Sequence, residues 1–156
     1  MAIHTSKESM LKESLPELVK VAEYCINFRK DPKIWHSHGC YGYPAAILLL
    51  AIVDSIGFYV IGGKVREHFN ILKHKNYYNL NLKKKDIDRI YENYRCLLTH
   101  KAVLEVNVVL DIGKANDAVF EYKNTIPYIN LLPFLNVTKN VVGKFLHKIN
   151  KDQIVS

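Results

Sequence analysis

The chain has 156 residues, a length suited to one domain with its own core and short for two. Apolar residues make up 49% of it, which excludes an intrinsically disordered protein. The formal net charge is +7 and the sequence pI is about 9.2, so the charge points toward a polyanionic partner such as RNA. Charge alone does not identify that partner, because the basic run at residues 83–85 also fits a solvated loop before a helix.

The first predicted helix spans about residues 6–30, with Ser6 as its N-cap. Pro16 lies inside this stretch, which leaves two alternatives: one continuous helix, or a separate opening segment before the main helix. A loop over residues 36–44 follows, as its glycines and Pro44 indicate.

An apolar run from Tyr43 to Ile61 leaves two alternatives open. Its length approaches the roughly 18–20 residues that a membrane span needs. Asp54 interrupts the middle of the run, however, and a carboxylate is costly in lipid. We therefore favour a helix buried at the centre of a protein outside the membrane. In that setting an unpaired carboxylate would be expensive, so we expect Asp54 to be buried and paired with Arg95.

Residues 62–63, both glycine, are predicted to stop the apolar helix, and a shorter helix over residues 64–72 follows. After an irregular stretch at residues 74–82, the best-defined helix covers residues 85–100. Apolar side chains recur there on one face at helical spacing.

The period then changes to strict alternation over residues 104–112, which predicts a half-buried strand. Residues 119–129 predict a small β-hairpin, and Pro127 places one of its strands at an edge of the sheet. A last helix starts near Asn130 and extends to about Ile149. The predicted fold class is mainly α: one helical-bundle domain over residues 1–156, with a small β-hairpin or sheet after the 85–100 helix.

The cysteines indicate a reducing compartment. Cys25, Cys40 and Cys96 form no CxxC pair, which is typical of free thiols in a cytoplasmic protein. No secretory signal pattern opens the chain. His36 and His38 precede Cys40 closely, but no second ligand pair accompanies them, so we expect a polar loop without metal or cofactor.

Arg95 and His100, at the end of the 85–100 helix, are the candidate chemical residues. A permanently charged guanidinium near an imidazole that titrates close to neutral pH suits phosphate chemistry. The alternative is structural: an arginine whose stem packs on the apolar face, and a histidine that binds the last carbonyls of the helix. No glycine-rich phosphate loop and no serine or cysteine nucleophile signature offers a competing site.

The segment Tyr94-Arg95-Cys96-Leu97-Leu98-Thr99-His100 resembles the motif of the HEPN superfamily, in which four to six residues separate an arginine from a histidine. The preceding apolar helix and the following segments extend the resemblance to a bacterial branch of that superfamily, over about residues 44–149. It implies an antiparallel, HEPN-like helical bundle in which Arg95 and His100 are catalytic. The residues expected to support the site or bind at it are Asp54, Tyr94, Cys96 and Thr99.

The resemblance implies a metal-independent endoribonuclease, and active members are commonly toxins or defence effectors that act as dimers. His100 would move a proton while the RNA 2′-hydroxyl attacks phosphorus, and Arg95 would stabilise charge on the phosphoryl oxygens. A second reading stays open: a non-catalytic RNA- or nucleotide-binding module that works through a partner protein such as an antitoxin. Cys96 motivates it, because active members often carry Asn or Asp directly after the arginine.

Helix geometry adds one expectation about the assembly. On an ideal helix, Arg95 and His100 point about 140° apart. Either the helix breaks near Thr99, or a second copy of the chain completes the site. The resemblance favours a homodimer.

Overall fold

Helices form most of the chain, and a small sheet lies between the last two of them. The computed structural model describes residues 3–154, with side chains for residues 3–151. This confirms the predicted mainly helical fold with a small sheet. The α-helices are α1 (Lys7–Asn27), α2 (Pro32–Trp35), α3 (Gly42–Val60), α4 (Val65–His68), α5 (Lys84–Arg89), α6 (Leu97–Lys101) and α7 (Leu131–Ile154). The strands are β1 (Val109–Asp111), β2 (Phe120–Lys123) and β3 (Ile126–Asn130).

The N-cap of α1 is Ser6, as predicted, and its hydroxyl oxygen accepts a hydrogen bond from the Ser9 N–H at 3.1 Å. Pro16 does not divide α1, since the helix runs through it without a break. The sequence did not predict α2. Asp31 caps this short helix by accepting a hydrogen bond from the Lys33 N–H at 2.9 Å.

The central element is α3, which packs against α1, α4 and α7. Among the described residues it is the one helix long and apolar enough to cross a membrane, and 44% of its most apolar window is buried inside the fold. Its buried residues are Ala45, Ala46, Leu49, Leu50, Ile52, Val53, Ile56 and Gly57. They cover nearly half of the helix circumference and pack against the neighbouring helices, so α3 is a core helix, as the sequence predicted.

The hydrophobic core extends beyond residues 44–149, because α1 contributes a full apolar stripe to it. The buried side chains of this stripe are Leu15, Val19, Ala22, Cys25 and Ile26. Their spacing of three and four residues is that of one helix face.

A sharp return of the chain brings α4 back along α3. Gly62 and Gly63 take φ values of +71° and +81°, a conformation that favours glycine, and so end the apolar helix as predicted. The two helices come closest at Gly57, where a Cβ atom would lie 2.2 Å from the carbonyl oxygen of His68. Only glycine leaves room for this approach. A 3₁₀ segment, Phe69–Lys73, continues from α4.

The predicted 85–100 helix is present, but its middle is unusual. A π-helical segment, Ile90–Cys96, joins α5 to α6, so that one continuous helical stretch runs from residue 84 to residue 101. The π-helix is rare and occurs frequently at functional sites.

The strand order of the sheet is β1-β3-β2, with β1 parallel and β2 antiparallel to β3. The predicted hairpin is therefore confirmed, and its turn residues Asn124 and Thr125 have φ values of +49° and +70°. The edge position predicted from Pro127 is wrong, since β3 is the central strand. The pairing with β1 begins only at Tyr128, so Pro127 precedes it and removes no hydrogen bond from that ladder.

The strand predicted over residues 104–112 is also shorter than expected, since only Val109–Asp111 of this range forms a strand. Ala102 and Asn107 have φ values of +55° and +61°, which interrupt an extended backbone. Val106 is 77% exposed despite its place in the alternating pattern. Alternation alone did not distinguish a loop with apolar residues from a strand.

Candidate functional site

Arg95 lies in the π-helical segment and forms an ion pair with Asp54 on α3. Its Nη2 donates a hydrogen bond to Asp54 Oδ2 at 3.0 Å. The predicted pairing is confirmed, although Asp54 is half-buried, with 22% of its side chain exposed. The other carboxylate oxygen, Oδ1, lies 2.7 Å from His68 Nδ1. One carboxylate thus connects α3, α4 and the π-helical segment.

His68 is held at both of its ring nitrogens. Nδ1 faces Asp54, and Nε2 lies 3.2 Å from the carbonyl oxygen of Gly63. Each ring nitrogen is therefore occupied by a contact within the protein. The ring is 5% exposed, and neither nitrogen is left for a substrate. His68 therefore positions Asp54 and is not placed to exchange protons with a ligand.

An aromatic ring and a second arginine surround Arg95. The guanidinium carbon of Arg95 lies 5.8 Å from the centre of the Tyr91 ring, and that of Arg66 lies 5.4 Å from the same ring. Arg66 is also paired with Glu92. A hydrogen bond with the Cys96 thiol, together with partial burial, raises the pKa of the Tyr91 phenol. Tyr91, in the π-helical segment, is thus in contact with Arg95 of the same segment and with Arg66 of α4.

His100 and Thr99 lie exposed near the end of α6. No hydrogen bond or ion pair involving His100 occurs within residues 3–154, and none joins it to Arg95. The helix does not break near Thr99, which was one of the two alternatives considered, because α6 continues through Thr99 to Lys101.

Tyr94 was expected at the site, but it is fully buried and does not reach the surface. Its hydroxyl donates to the carbonyl of Pro127 at 2.9 Å, with the carbonyl of Val109 at 3.3 Å, and so attaches the π-helical segment to the sheet. A second link joins β2 to α5, where the Tyr122 hydroxyl donates to Asp86 at 2.9 Å. Both contacts fix the orientation of the helix that carries Arg95.

The His36, His38 and Cys40 group does not converge. Both histidines are exposed, whereas Cys40 is buried, and burial raises the pKa of its thiol. Across the described part of the chain, no three His, Cys, Asp or Glu side chains meet in a way that would hold a metal ion.

No sequence motif pointed to His68 as a partner of Asp54. The glycines were the only indication in the sequence, and an indirect one. Residues 62–63 reverse the chain after α3, and the close approach at Gly57 sets where α4, which carries His68, packs. Beside the Asp54–His68 contact a shallow depression opens to the surface. The residues that line it are Leu11, Asp54, Ser55, Phe58, Tyr59 and His68.

No protein-family model, curated protein or solved structure matches this chain. The fold is thus described by its own elements: a helical assembly around α3 with a three-stranded sheet before the last helix. The candidate site is the cluster of Asp54 with its two partners, His68 and Arg95, and His100 lies exposed farther along the same helix as Arg95.

Proposed function

We propose that this protein is a metal-independent endoribonuclease with a HEPN-like antiparallel bundle, in which Arg95 and His100 act on RNA. The observation that supports this proposal is that Arg95 is only partly hydrogen-bonded and is partly exposed. Asp54 accepts a hydrogen bond from one guanidinium nitrogen, and the other N–H groups have no acceptor within residues 3–154. The side chain is 21% exposed. A guanidinium held by one edge presents its other edge to two oxygens of a phosphate.

The reaction uses the RNA 2′-hydroxyl as its nucleophile. The 2′-oxygen forms a bond to the adjacent phosphorus while the bond to the 5′-oxygen breaks, which leaves a 2′,3′-cyclic phosphate and a new 5′-hydroxyl. His100 takes the 2′-proton or supplies a proton to the departing oxygen, and Arg95 stabilises the charge on the phosphoryl oxygens. DNA has no 2′-hydroxyl and is not cut by this route.

A homodimer completes the site. Arg95 faces α3, whereas His100 lies exposed beyond it on the same unbroken helix. A twofold arrangement around α6 would bring His100 of one copy to Arg95 of the other. We place this dimer in the cytoplasm, where RNA is present and the three free thiols stay reduced.

Cleavage of single-stranded RNA in the presence of EDTA, with 2′,3′-cyclic phosphate ends, tests the proposal. Arg95→Ala and His100→Ala should each lower the rate by about two orders of magnitude or more, the loss expected for a charge stabiliser or a general acid–base group. Arg95→Lys should rescue poorly, since an ammonium lacks the planar fork. Lys33→Ala, which removes an exposed charge on α2, is the matched control and should cut normally.

A second candidate function is a non-catalytic RNA- or nucleotide-binding module that acts through a partner protein such as an antitoxin. Cys96 supports it, since a thiol directly after Arg95 supplies no amide or carboxylate. In that case the protein would bind RNA with a steep salt dependence and never cut it.

A further inference from the structure

Three shallow depressions join on the face formed by the end of α3, the loop after the 3₁₀ segment, and α7. The first and second share Val60, Tyr77 and Lys148 as lining residues. The second and third share His74 and Asn76. The three are therefore one continuous groove across this face.

Basic side chains line this groove, and Glu8 is the one acidic residue among its lining residues. None of the basic side chains forms an ion pair within the described part of the chain, whereas Lys84 and Lys139 elsewhere on the surface are paired. The four lysines outnumber Glu8, so the groove carries a net positive charge. We call it the basic groove, and its basic residues are Lys73, His74, Lys75, Lys144, His147 and Lys148.

Two exposed aromatic rings stand at one end of the basic groove. Tyr59 is 39% exposed, and its ring centre lies 6.1 Å from that of Phe145 beneath it. Phe58 is 51% exposed and meets Tyr59 edge-on at 5.1 Å. Tyr59 also lines the depression that contains Asp54 and His68. The basic groove therefore continues, past an aromatic platform, to the charged cluster.

We infer that the basic groove binds the sugar–phosphate backbone of single-stranded RNA and leads the strand toward Asp54, His68 and Arg95, with a base stacked on Tyr59. Lysines without an ion-pair partner along a groove attract phosphates, and an exposed ring offers a face to any unpaired base. We infer a single strand because the bases of a duplex are already stacked on one another and cannot stack on Tyr59. That the ligand is RNA rests on the proposed function. That the groove binds a polyanion with exposed bases is argued from its positive charge and from the aromatic rings at its end.

A charge-removal experiment tests the groove directly. Lys144 and Lys148 lie four residues apart on α7 and so share one helix face. Their double alanine variant should bind a labelled single-stranded RNA about tenfold more weakly and lower the slope of log K against log salt by about 1.4, the equivalent of two lost phosphate contacts. The matched control is Lys33→Ala/Lys85→Ala, which removes the same charge from exposed positions outside the groove. Equal losses in both variants, or none in either, would overturn the inference.

The aromatic end has its own test. Tyr59→Ala should weaken binding about fivefold or more, whereas Tyr59→Phe should keep most of the affinity, because stacking uses the ring and not the hydroxyl. Since Tyr59 packs on Phe145, the Tm of both variants is measured alongside. A further assay uses vesicles of anionic phospholipid. If the groove variants lose vesicle binding and keep RNA binding, the partner is a membrane surface and the inference is wrong.

Binding and cutting are scored separately, so the two proposals fail in different ways. If wild-type protein binds RNA through the groove but never cuts it, the nuclease fails and the inference stands. If the protein cuts RNA and Lys144→Ala/Lys148→Ala binds and cuts as wild type does, the nuclease stands and the inference fails. If wild-type protein binds no single-stranded RNA even at low salt, both are overturned.

Discussion

At the scale of residues, Asp54 is the side chain on which the site depends. It lies on α3 and binds His68 of α4 and Arg95 of the π-helical segment, so one carboxylate joins three elements. Such a half-buried carboxylate loses hydration on folding, and its two partners compensate for that loss. The same contacts that stabilise the fold also orient the guanidinium of Arg95.

The shared carboxylate makes its two partners energetically coupled. Arg95→Ala and His68→Ala should each lower the free energy of unfolding by about 1–3 kcal/mol, because each leaves part of Asp54 unsatisfied. Combined with Asp54→Asn, Arg95→Ala should cost less than the sum of the single changes. Urea unfolding measures these values. Lys84→Ala, which breaks the exposed pair with Asp88, should cost no more than about 1 kcal/mol. Strict additivity of the Asp54 and Arg95 variants would contradict the coupling.

Two buried tyrosines give the protein an alkaline limit. Burial raises the pKa of Tyr78 and of Tyr94, since a phenolate inside the core would lose its hydration. In the unfolded chain both ionise near pH ~10. Their contribution to stability is therefore fully present below about pH 10 and falls as the pH rises above it, because the unfolded state releases protons that the folded state keeps.

This alkaline loss can be measured as the free energy of unfolding against pH, with near-ultraviolet absorbance to follow phenolate formation. Tyr94→Phe should show a shallower loss above about pH 10 than the wild type, since one of the two groups is gone. At neutral pH the same variant should be less stable by about 1 kcal/mol, because the hydrogen bond to Pro127 is lost. An unchanged slope in this variant would show that Tyr94 ionises without unfolding.

At the scale of elements, the crossing of α3 and α4 decides where the site forms. Gly57 permits the close approach of α3 and α4, which brings His68 to Asp54. The π-helical segment brings Arg95 to the other oxygen of the same carboxylate. The glycine and the π-helical segment themselves add no contact to the site. They set the relative positions of the helices that carry Asp54, His68 and Arg95.

The crossing is tested by adding a single methyl group. In Gly57→Ala the new Cβ would lie 2.2 Å from the carbonyl oxygen of His68, so the helices must move apart. We expect a loss of about 1–3 kcal/mol of stability. The matched control is Gly143→Ala on α7, where no atom lies within 4 Å of the added Cβ. That change should stabilise the protein by up to about 1 kcal/mol, since alanine favours a helix. Thermal unfolding distinguishes the two, and a harmless Gly57→Ala would refute the close approach.

At the scale of the whole molecule, the proposed dimer makes a quantitative prediction. Sedimentation at micromolar concentrations should give about twice the chain mass of 18.0 kDa. If each site takes Arg95 from one copy and His100 from the other, mixing the Arg95→Ala and His100→Ala proteins and allowing exchange should restore activity. About a quarter of wild-type activity is expected, since half of the dimers are mixed and each has one intact site. No recovery after verified exchange would place both residues of a site in one chain.

Local pattern in the sequence determined most of the elements. The helix at residues 84–101, the hairpin within residues 119–129 and the stop at residues 62–63 follow from helical spacing and from turn residues, which act over a few neighbours. The ion pair of Asp54 with Arg95 was also predictable. A carboxylate in an apolar helix needs a cation, and one arginine interrupted another apolar face.

Tertiary structure alone decided the remainder. His68 reaches Asp54 because α4 returns along α3 at Gly57, a contact between residues that no local pattern connects. The shortening of β1 and the burial of Tyr94 likewise depend on what packs opposite each residue. Periodicity states which face of an element is apolar, whereas the distance between two faces is set by the side chains that fill the space between them.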